Sequence, residues 1–180
     1  YTWISNVNYI LAEEETMSGS ETEKNYVLGQ AYAVRAYSYF MLAQMFSRTY
    51  KGHESEPCVP LYTEPTDIAT EGKGRATVEE VYQQITSDLD KAITMLGNSG
   101  KRKHISHINE AVASGIKARV ALVMEDWQTA LDAANAAISK SGCSIGTGTA
   151  VTGGMNDATA NNVMWAAEII ADQSGMYAGF

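Results

Sequence analysis

Apolar side chains recur at every third or fourth position through much of residues 1–140, a spacing that places them on one face of an α-helix. The clearest such segment begins at Thr77, whose hydroxyl can accept a hydrogen bond from a free amide of the first turn while Glu80 completes a capping box. Gly97 can adopt the left-handed turn that ends a helix. The pattern predicts a helix over residues 77–97, with an apolar face made of Val78, Val81, Tyr82, Ile85, Leu89, Ala92, Ile93 and Leu96.

Two more segments with helical spacing follow. Residues 107–124 are apolar over a wide arc, so this helix should contact neighbours on two sides. Its small residues Ala111, Gly115 and Ala118 leave room for another helix to approach closely. Asp126 can cap the next helix, whose apolar positions are Trp127, Ala130, Leu131, Ala134, Ala137 and Ile138. Because the joint is so short, the two helices are expected to be antiparallel neighbours.

Two helices are also predicted near the start of the chain. Residues 24–47 have few polar positions in their second half, which predicts a central and largely buried helix. Arg35 lies among these apolar residues, and a buried guanidinium needs a carboxylate or several carbonyl groups. We therefore expect Arg35 to pair structurally with an acid such as Asp88. A shorter helix is predicted before the turn at residues 18–20, from Trp3, Ile4, Val7, Ile10 and Leu11.

Two stretches break the helical pattern. Residues 48–76 hold all three prolines of the chain and cannot continue either flanking helix, which predicts a long ordered crossing or a binding loop. Beyond Ser141 the sequence is rich in glycine, and residues 163–165 and 168–170 are interpreted as a strand or short helix. We divide the chain into a helical-repeat scaffold over residues 1–140 and a loop-rich start of a further region over residues 141–180.

These elements predict an all-α fold of tetratricopeptide-like antiparallel helix pairs with long irregular loops. The run from Asp126 to Ile138 is similar to the first helix of a tetratricopeptide unit, which packs an aromatic residue and small alanines against its partner. The spacing between successive pairs is less regular than in such arrays. An ordinary irregular helical bundle is therefore the alternative.

Composition and charge narrow the class of protein. The formal net charge of -8 argues against nucleic acid as a partner, and the basic run at residues 101–104 is interpreted as a solvated loop. No apolar stretch is long enough to span a bilayer. Cys58 and Cys143 could form one disulfide or remain two free thiols. Because the chain starts at Tyr1 without a signal peptide or lipobox cysteine, we interpret it as a fragment or processed form.

No residue pattern points to catalysis. Nucleophile and phosphate-binding motifs are missing from the sequence, and paired acids such as Asp88 and Asp90 are expected on helix faces where nothing would raise their pKa. His104, His107 and Glu110 could converge on a metal only if the helix began early enough, and histidines beside a lysine run are usually solvated. We expect no enzyme, no metal and no cofactor.

Aromatic residues in loops are the candidates for ligand binding, since sugar rings stack on flat aromatic faces. Tyr50, His53, Tyr62 and Tyr177 qualify by location. The alternative for each is an aromatic packed over the ends of helices. The three tryptophans, Trp3, Trp127 and Trp165, are instead expected in the core because their sequence neighbours are apolar.

Five segments in succession carry a family resemblance. They are Tyr-x-x-Ile-x-x-x-Asn-x-Ile-Leu from Tyr1, Gly-Gln-Ala-Tyr-Ala-Val-Arg-Ala-Tyr-Ser-Tyr-Phe-Met-Leu from Gly29, Val-Pro-Leu-Tyr-Thr-Glu-Pro-Thr from Val59, Arg-Ala-Thr-Val-Glu-Glu-Val-Tyr-Gln-Gln-Ile from Arg75, and Ile-Lys-Ala-Arg-Val-Ala-Leu from Ile116. This succession resembles the N-terminal part of the SusD/RagB family and extends over nearly the whole chain.

The resemblance implies a surface-exposed lipoprotein of the outer membrane of Bacteroidota, which binds glycan or another nutrient for a TonB-dependent transporter. It also implies that the helical repeats form a scaffold, with Arg35 part of it. Relative to the family, the chain lacks the upstream lipidated cysteine and the large C-terminal portion, so we expect this fragment alone to bind glycan weakly. The alternative function is a tetratricopeptide-type adaptor that binds peptide tails in a groove.

Overall fold

Local capping chemistry sets where the helices begin. In the computed structural model, which describes residues 1–154 and 157–167, the Thr77 hydroxyl accepts a hydrogen bond from the Glu80 amide, and the Glu80 carboxylate accepts one from the Thr77 amide. This is the capping box that the sequence predicts. Ser20 and Glu23 form a second one, so the long helix starts at Glu21 rather than at residue 24. The first turn of this helix is polar, so the spacing of apolar residues does not indicate where the helix begins.

Helices dominate the described residues and confirm the all-α class. Each of the five longer helices packs chiefly on its neighbours in sequence, in the order expected of a stack of antiparallel rods. In chain order the helices are α1 (Thr2–Ala12), α2 (Glu21–Phe46), α3 (Val78–Gly97), α4 (Glu110–Met124), α5 (Trp127–Ser141) and the short α6 (Thr149–Thr152).

The joint between α4 and α5 is as short as predicted. Glu125 has a φ of 60°, a left-handed conformation that few side chains adopt, and the Asp126 carboxylate then accepts a hydrogen bond from the Thr129 amide to start α5. At its other end α4 begins three residues later than predicted, because the Asn109 side chain caps it by accepting a hydrogen bond from the Val112 amide. His107 therefore precedes the helix.

Helix α2 is the central element of the core. It packs on α1 and α3, and Ala33, Ala36 and Tyr39 are fully buried there. Gly29 permits a close approach to α3, since a Cβ added to it would lie 2.7 Å from Cγ of Leu96. At Gly115 the nearest atom to an added Cβ would be 3.8 Å away, which is ordinary contact. Small residues thus lie at both contacts: Gly29 of α2 faces α3, and Gly115 of α4 lies against Ala137 of α5, as expected for the close helix approach predicted at α4.

The proline-rich segment closes on itself through two strands that the sequence did not predict. Strand β1 (Pro57–Pro60) pairs antiparallel with β2 (Arg75–Thr77), with Pro57 opposite Thr77 and Pro60 opposite Arg75. The Arg75 guanidinium reinforces the pairing by donating to the Cys58 and Pro57 carbonyl groups. Residues 61–74 are consequently a loop whose two ends lie side by side against α2 and α3.

The expectation that the three tryptophans lie in the core is wrong. Trp3, Trp127 and Trp165 are 68%, 63% and 39% exposed, so none belongs to the core. The physical reason is clearest for Trp127: α5 buries Ala130, Ala133 and Ala137 and leaves its other apolar face open. Periodicity shows that a face is apolar, but it does not show which face has a partner.

The region after α5 also departs from expectation. Residues 163–165 form neither strand nor helix; the Met164 carbonyl accepts a hydrogen bond from Arg102, and the Trp165 indole donates one to the Ser106 carbonyl. Residues 168–170 lie outside the described residues. Cys58 is buried and Cys143 partly buried, and both are free thiols. Among the described residues, no helix is both long and apolar enough to cross a membrane.

Candidate functional site

A buried ion pair joins α2 to α3 at the inner side of the proline-rich loop. The Arg35 guanidinium donates from Nε and Nη2 to the two carboxylate oxygens of Asp88, both at 2.8 Å. Its Nη1 donates to the Asn8 side chain at 2.9 Å and to the Thr63 carbonyl at 3.1 Å. The predicted pairing of Arg35 with Asp88 is therefore present. The exposed fractions of Arg35, Asp88 and Asn8 are 5%, 0% and 1%. We call these three residues the buried clamp. Their hydrogen bonds to one another compensate for the hydration that their polar groups lose on burial.

The buried clamp fixes the backbone of the loop. Asn8 donates from Nδ2 to the carbonyl groups of Tyr62 and Glu64, each at 3.0 Å. The Tyr39 hydroxyl donates to the Tyr62 carbonyl at 2.8 Å and accepts from the Tyr62 amide at 2.7 Å. Burial raises the pKa of Tyr39 to about 12, so the phenol stays neutral and keeps both roles at physiological pH. Both backbone polar groups of Tyr62 are thus held by side chains from α1 and α2.

Between α1 and this loop lies a crevice of about 280 Å³. The Tyr62 ring stands at 86° to the ring of Tyr1, with 6.2 Å between their centroids, and the Lys73 ammonium lies 5.5 Å from the Tyr62 centroid. The Tyr62 hydroxyl accepts a hydrogen bond from the Lys73 amide. We call this hollow the loop crevice; it is lined by Tyr1, Ile4, Ser5, Asn8, Tyr62, Thr66, Asp67 and Thr70.

Several polar groups in the loop crevice are not used by the protein itself. The Asp67 Oδ1 atom accepts hydrogen bonds from the Thr70 hydroxyl and the Ala69 amide, which hold the pKa of Asp67 below its usual range. Within residues 1–154 and 157–167, Oδ2 of Asp67 and the hydroxyls of Ser5 and Thr66 have no hydrogen-bond partner. The lining of the crevice therefore includes an aromatic ring, an ionised carboxylate and two hydroxyl-bearing residues, Ser5 and Thr66, that make no side-chain hydrogen bond within the described part of the chain.

The other aromatic candidates lie elsewhere. The Tyr50 hydroxyl donates to the Glu79 carboxylate, and its ring packs against Tyr82 with 5.1 Å between centroids. This matches the alternative of an aromatic packed over a helix end. His53 is half-buried, and within the described part of the chain its buried Nδ1 atom has no hydrogen-bond partner. Neither residue lines the loop crevice, and Tyr177 lies outside the described residues.

The side chains considered as metal ligands interact with other residues instead of converging on one point. His107 contacts the Tyr26 hydroxyl through Nδ1 at 2.5 Å, and Glu110 is paired with the Lys140 ammonium at 2.9 Å. The His104 and His107 rings are 6.0 Å apart. Across the described ranges, three or more metal-ligating side chains do not gather at any point.

A second hollow, of about 400 Å³, is mainly apolar and lies along α1 and α2. Trp165 lines it and packs its ring at 83° to that of Tyr37, with 5.7 Å between centroids. Trp3, Met41 and Met45 contribute further apolar surface. This apolar groove explains where two of the expected core tryptophans lie: they border a groove on the surface.

Sequence reasoning missed two residues that shape the loop crevice. Asn8 is a polar residue within the apolar stripe of α1, the same signal that singled out Arg35. Asp67 precedes Thr70 by three residues in a loop, a spacing typical of side-chain hydrogen bonds that fix a turn. Their proximity to Tyr62 could not be predicted, because it depends on pairing across more than 50 residues.

One family model matches this chain. It is the SusD-like family described as starch-binding and associating with the outer membrane, and the match covers residues 1–122. No protein of curated function matches the chain.

Solved structures share the fold. A SusD-like carbohydrate-binding protein from Bacteroides vulgatus matches with a TM-score of 0.87 at 28% identity, over 95% of this chain and 36% of its own. A SusD superfamily protein from Bacteroides thetaiotaomicron matches with 0.71 at 27% identity, over 80% of this chain and 32% of its own. NanU of B. fragilis matches with a TM-score of 0.75 at 24% identity, over 97% of this chain and 35% of its own. The chain spans about a third of the length of these proteins.

Proposed function

Since this chain belongs to the SusD-like family of starch-binding proteins that associate with the outer membrane, we propose that it serves in the glycan-binding component of a nutrient uptake system. In this role the protein captures an oligosaccharide at the cell surface and passes it to a TonB-dependent transporter. The observation that carries the proposal is the family match over residues 1–122, supported by the fold shared with a carbohydrate-binding protein from Bacteroides vulgatus.

The charges of the chain support binding without catalysis. Hydrolysis of a glycosidic bond generally uses two carboxyl groups, one of which is kept protonated by a raised pKa. Six carboxyl groups among the described residues have a pKa lowered by hydrogen bonds that they accept from neighbouring amides or hydroxyls: Glu23, Glu54, Asp67, Glu80, Asp126 and Asp157. These groups stay ionised near pH 7 and are poor general acids.

A binding experiment with product analysis tests the proposal. The full-length protein is titrated by calorimetry with maltoheptaose, laminarihexaose, cellohexaose and xylohexaose, and the sugars are then recovered and separated by chromatography. We expect saturable binding of at least one oligosaccharide, with its chain length unchanged after prolonged incubation. Shortened products would contradict a purely binding role.

A genetic experiment tests the link to transport. Deleting the gene from its host should abolish growth on the glycan that the protein binds, while growth on the corresponding monosaccharide stays normal. An epitope-tagged protein purified from solubilised outer membranes should carry a TonB-dependent transporter with it. Binding of peptides but of no saccharide would instead favour the tetratricopeptide-type adaptor, which the stacked helix pairs could also serve.

A further inference from the structure

Resting on the proposed glycan-binding function, we propose that the loop crevice is a subsite for a neutral saccharide, and that Asp67 makes it disfavour acidic sugars. The subsite lies between α1 and residues 61–74, with Tyr62 as its aromatic wall. It assigns the ligand class and the place of binding within this chain.

The size of the loop crevice suits a small part of a glycan. Its volume of about 280 Å³ lies near the lower limit of ligand pockets, which begin at roughly 300 Å³. One or two sugar rings fit such a space, whereas a longer chain would extend beyond it. The ring of Tyr62 offers the apolar surface against which the C–H face of a pyranose packs.

The free polar groups match the hydroxyls of a neutral sugar. A sugar hydroxyl can donate to the unused Oδ2 atom of Asp67, and hydrogen bonds to a charged acceptor are about twice as strong as neutral ones. The hydroxyls of Ser5 and Thr66 can donate or accept on the other side of the crevice. A ligand that reaches these three groups can satisfy their remaining hydrogen-bonding capacity.

Hydrogen bonds within the protein hold the wall and the carboxylate of the site in place. The backbone of Tyr62 is held by Asn8 and Tyr39, and Asn8 is in turn held by the buried Arg35 guanidinium. The Asp67 carboxylate is fixed by the turn that it makes with Thr70. Because the wall and the carboxylate are ordered already, binding costs little conformational entropy. This gives the buried clamp a role in positioning the loop as well as in stability.

The local charge selects against acidic ligands. Residues 61–74 carry three carboxylates, Glu64, Asp67 and Glu71, against the single ammonium group of Lys73. Lys73 is placed over the Tyr62 ring, 5.5 Å from its centroid. A uronic acid in the crevice would bring its carboxylate close to that of Asp67, and like charges at such distances repel each other. Neutral hexoses and pentoses meet no such penalty.

Two matched pairs of variants test the subsite. Asp67→Asn removes the charge, and Asp157→Asn is its control, because Asp157 makes the same kind of turn by accepting hydrogen bonds from the Thr159 amide and hydroxyl. Ser5→Gln fills the crevice from α1, and Asn6→Gln is its control on the neighbouring, exposed position. All four lie on accessible positions, and their melting temperatures verify folding.

The full-length protein and its variants are titrated with maltotriose, cellotriose, laminaritriose, xylotriose and trigalacturonate. We expect the wild type to bind a neutral trisaccharide at least tenfold more tightly than trigalacturonate. Asp67→Asn should lower the affinity for the neutral trisaccharide about tenfold, the loss expected when one charge-assisted hydrogen bond is removed. The ratio of the affinities for the neutral trisaccharide and for trigalacturonate should fall as well. Ser5→Gln should weaken it at least tenfold, and both control variants should bind as the wild type does.

The outcomes separate this inference from the function on which it rests. If the wild-type protein binds none of these sugars and none of the longer oligosaccharides, both the subsite and the glycan-binding function are contradicted. A protein that binds a saccharide with wild-type affinity after Asp67→Asn or Ser5→Gln would overturn the subsite and leave the glycan-binding function standing. Tighter binding of trigalacturonate than of every neutral trisaccharide would overturn the assigned ligand class.

Discussion

At the scale of single residues, the buried clamp is the most consequential polar feature of the molecule. Arg35 makes four hydrogen bonds, two to Asp88, one to Asn8 and one to the Thr63 carbonyl. Asp88 also accepts a hydrogen bond from the side-chain Nε2 of Gln84 at 2.8 Å. An ion pair of this kind adds little net stability relative to an apolar pair, but losing one partner leaves a charge buried without compensation. The clamp should therefore be sensitive to single substitutions.

Replacing Arg35 tests this sensitivity. Arg35→Met should lower the free energy of unfolding by about 3 to 5 kcal/mol, because the Asp88 carboxylate is left buried without its partner. Arg48→Met is the control: Arg48 pairs with Glu56 at 3.5 Å with its side chain 70% exposed, and its loss should cost less than about 1 kcal/mol. Urea unfolding followed by circular dichroism measures both. Similar losses in the two variants would contradict a stabilising role specific to the clamp.

The same region predicts a dependence of stability on alkaline pH. Burial raises the pKa of Tyr39 from 10.0 to about 12, so between these values the folded protein keeps a proton that the unfolded chain releases. The unfolded state then binds fewer protons, and the free energy of unfolding falls as the pH rises from about 10 to 12.

Tyr39→Phe isolates this contribution. The variant should be less stable at pH 8, since the Tyr62 backbone loses both of its hydrogen bonds to the Tyr39 hydroxyl. Above pH 10 its stability should decline less steeply than that of the wild type, as urea unfolding at successive pH values measures. Parallel declines above pH 10 would show that Tyr39 does not contribute to the alkaline loss.

At the scale of elements, the contact between α2 and α3 depends on one glycine. An added Cβ at Gly29 would lie 2.7 Å from Cγ of Leu96 and 3.2 Å from Cβ of Met95, distances at which side chains or backbone at this contact must move. Gly115 on α4 offers a matched comparison, because its added Cβ would meet its nearest neighbours at 3.8 and 3.9 Å.

We expect the same substitution to have different effects on stability at the two glycines. Gly29→Ala should destabilise the protein by about 1 to 3 kcal/mol through overpacking. Gly115→Ala should leave stability unchanged or raise it by up to about 1 kcal/mol, because alanine favours the helix over glycine. Thermal and urea unfolding of both variants provide the measurement. A destabilised Gly115→Ala variant would place a tight contact at α4 instead.

The elements that the sequence predicts best are those set by local chemistry. The Thr77 capping box and the short turn at Asp126 involve residues within a few positions of each other, and both are present. The pairing of β1 with β2 was not predictable in this way, because it joins the proline-containing β1 to a three-residue strand 15 or more residues away and has little periodicity of its own. Helix starts with a polar first turn, as in α2, also escape a search based on apolar spacing.

For the candidate site, the sequence indicates residue types but not their assembly. Arg35 and Asp88 could be paired in advance because burial of a guanidinium demands an acid. Tyr62 was singled out by its place in a proline-rich loop, yet its neighbours Tyr1, Ser5 and Asp67 could not be, since only the folded chain brings α1 against that loop. Nothing in the residue pattern separates the packed Tyr50 from the crevice-lining Tyr62.

At the scale of the whole molecule, the helical stack leaves apolar surface uncovered at α5. Trp127, Leu131 and Ile138 recur along one side of α5 and are 63%, 55% and 68% exposed. The alanines on the opposite side of the same helix are buried against α4. Helical repeat arrays bury the apolar faces of each helix against neighbouring helices. Within the described chain, α4 covers one side of α5, and no helix covers the side that carries Trp127, Leu131 and Ile138.

A charge placed on either side of α5 distinguishes the covered face from the open one. Leu131→Lys should change the free energy of unfolding of the 180-residue chain by no more than about 0.5 kcal/mol, because the ammonium group remains in water. Ala133→Lys, two positions away and 8% exposed, should cost roughly 3 kcal/mol or more, since it forces a charge between α4 and α5. Urea unfolding of the two variants decides the matter. A large loss in Leu131→Lys would mean that this side of α5 already has a packing partner in the chain, and the orientation of the last helix pair would have to be revised.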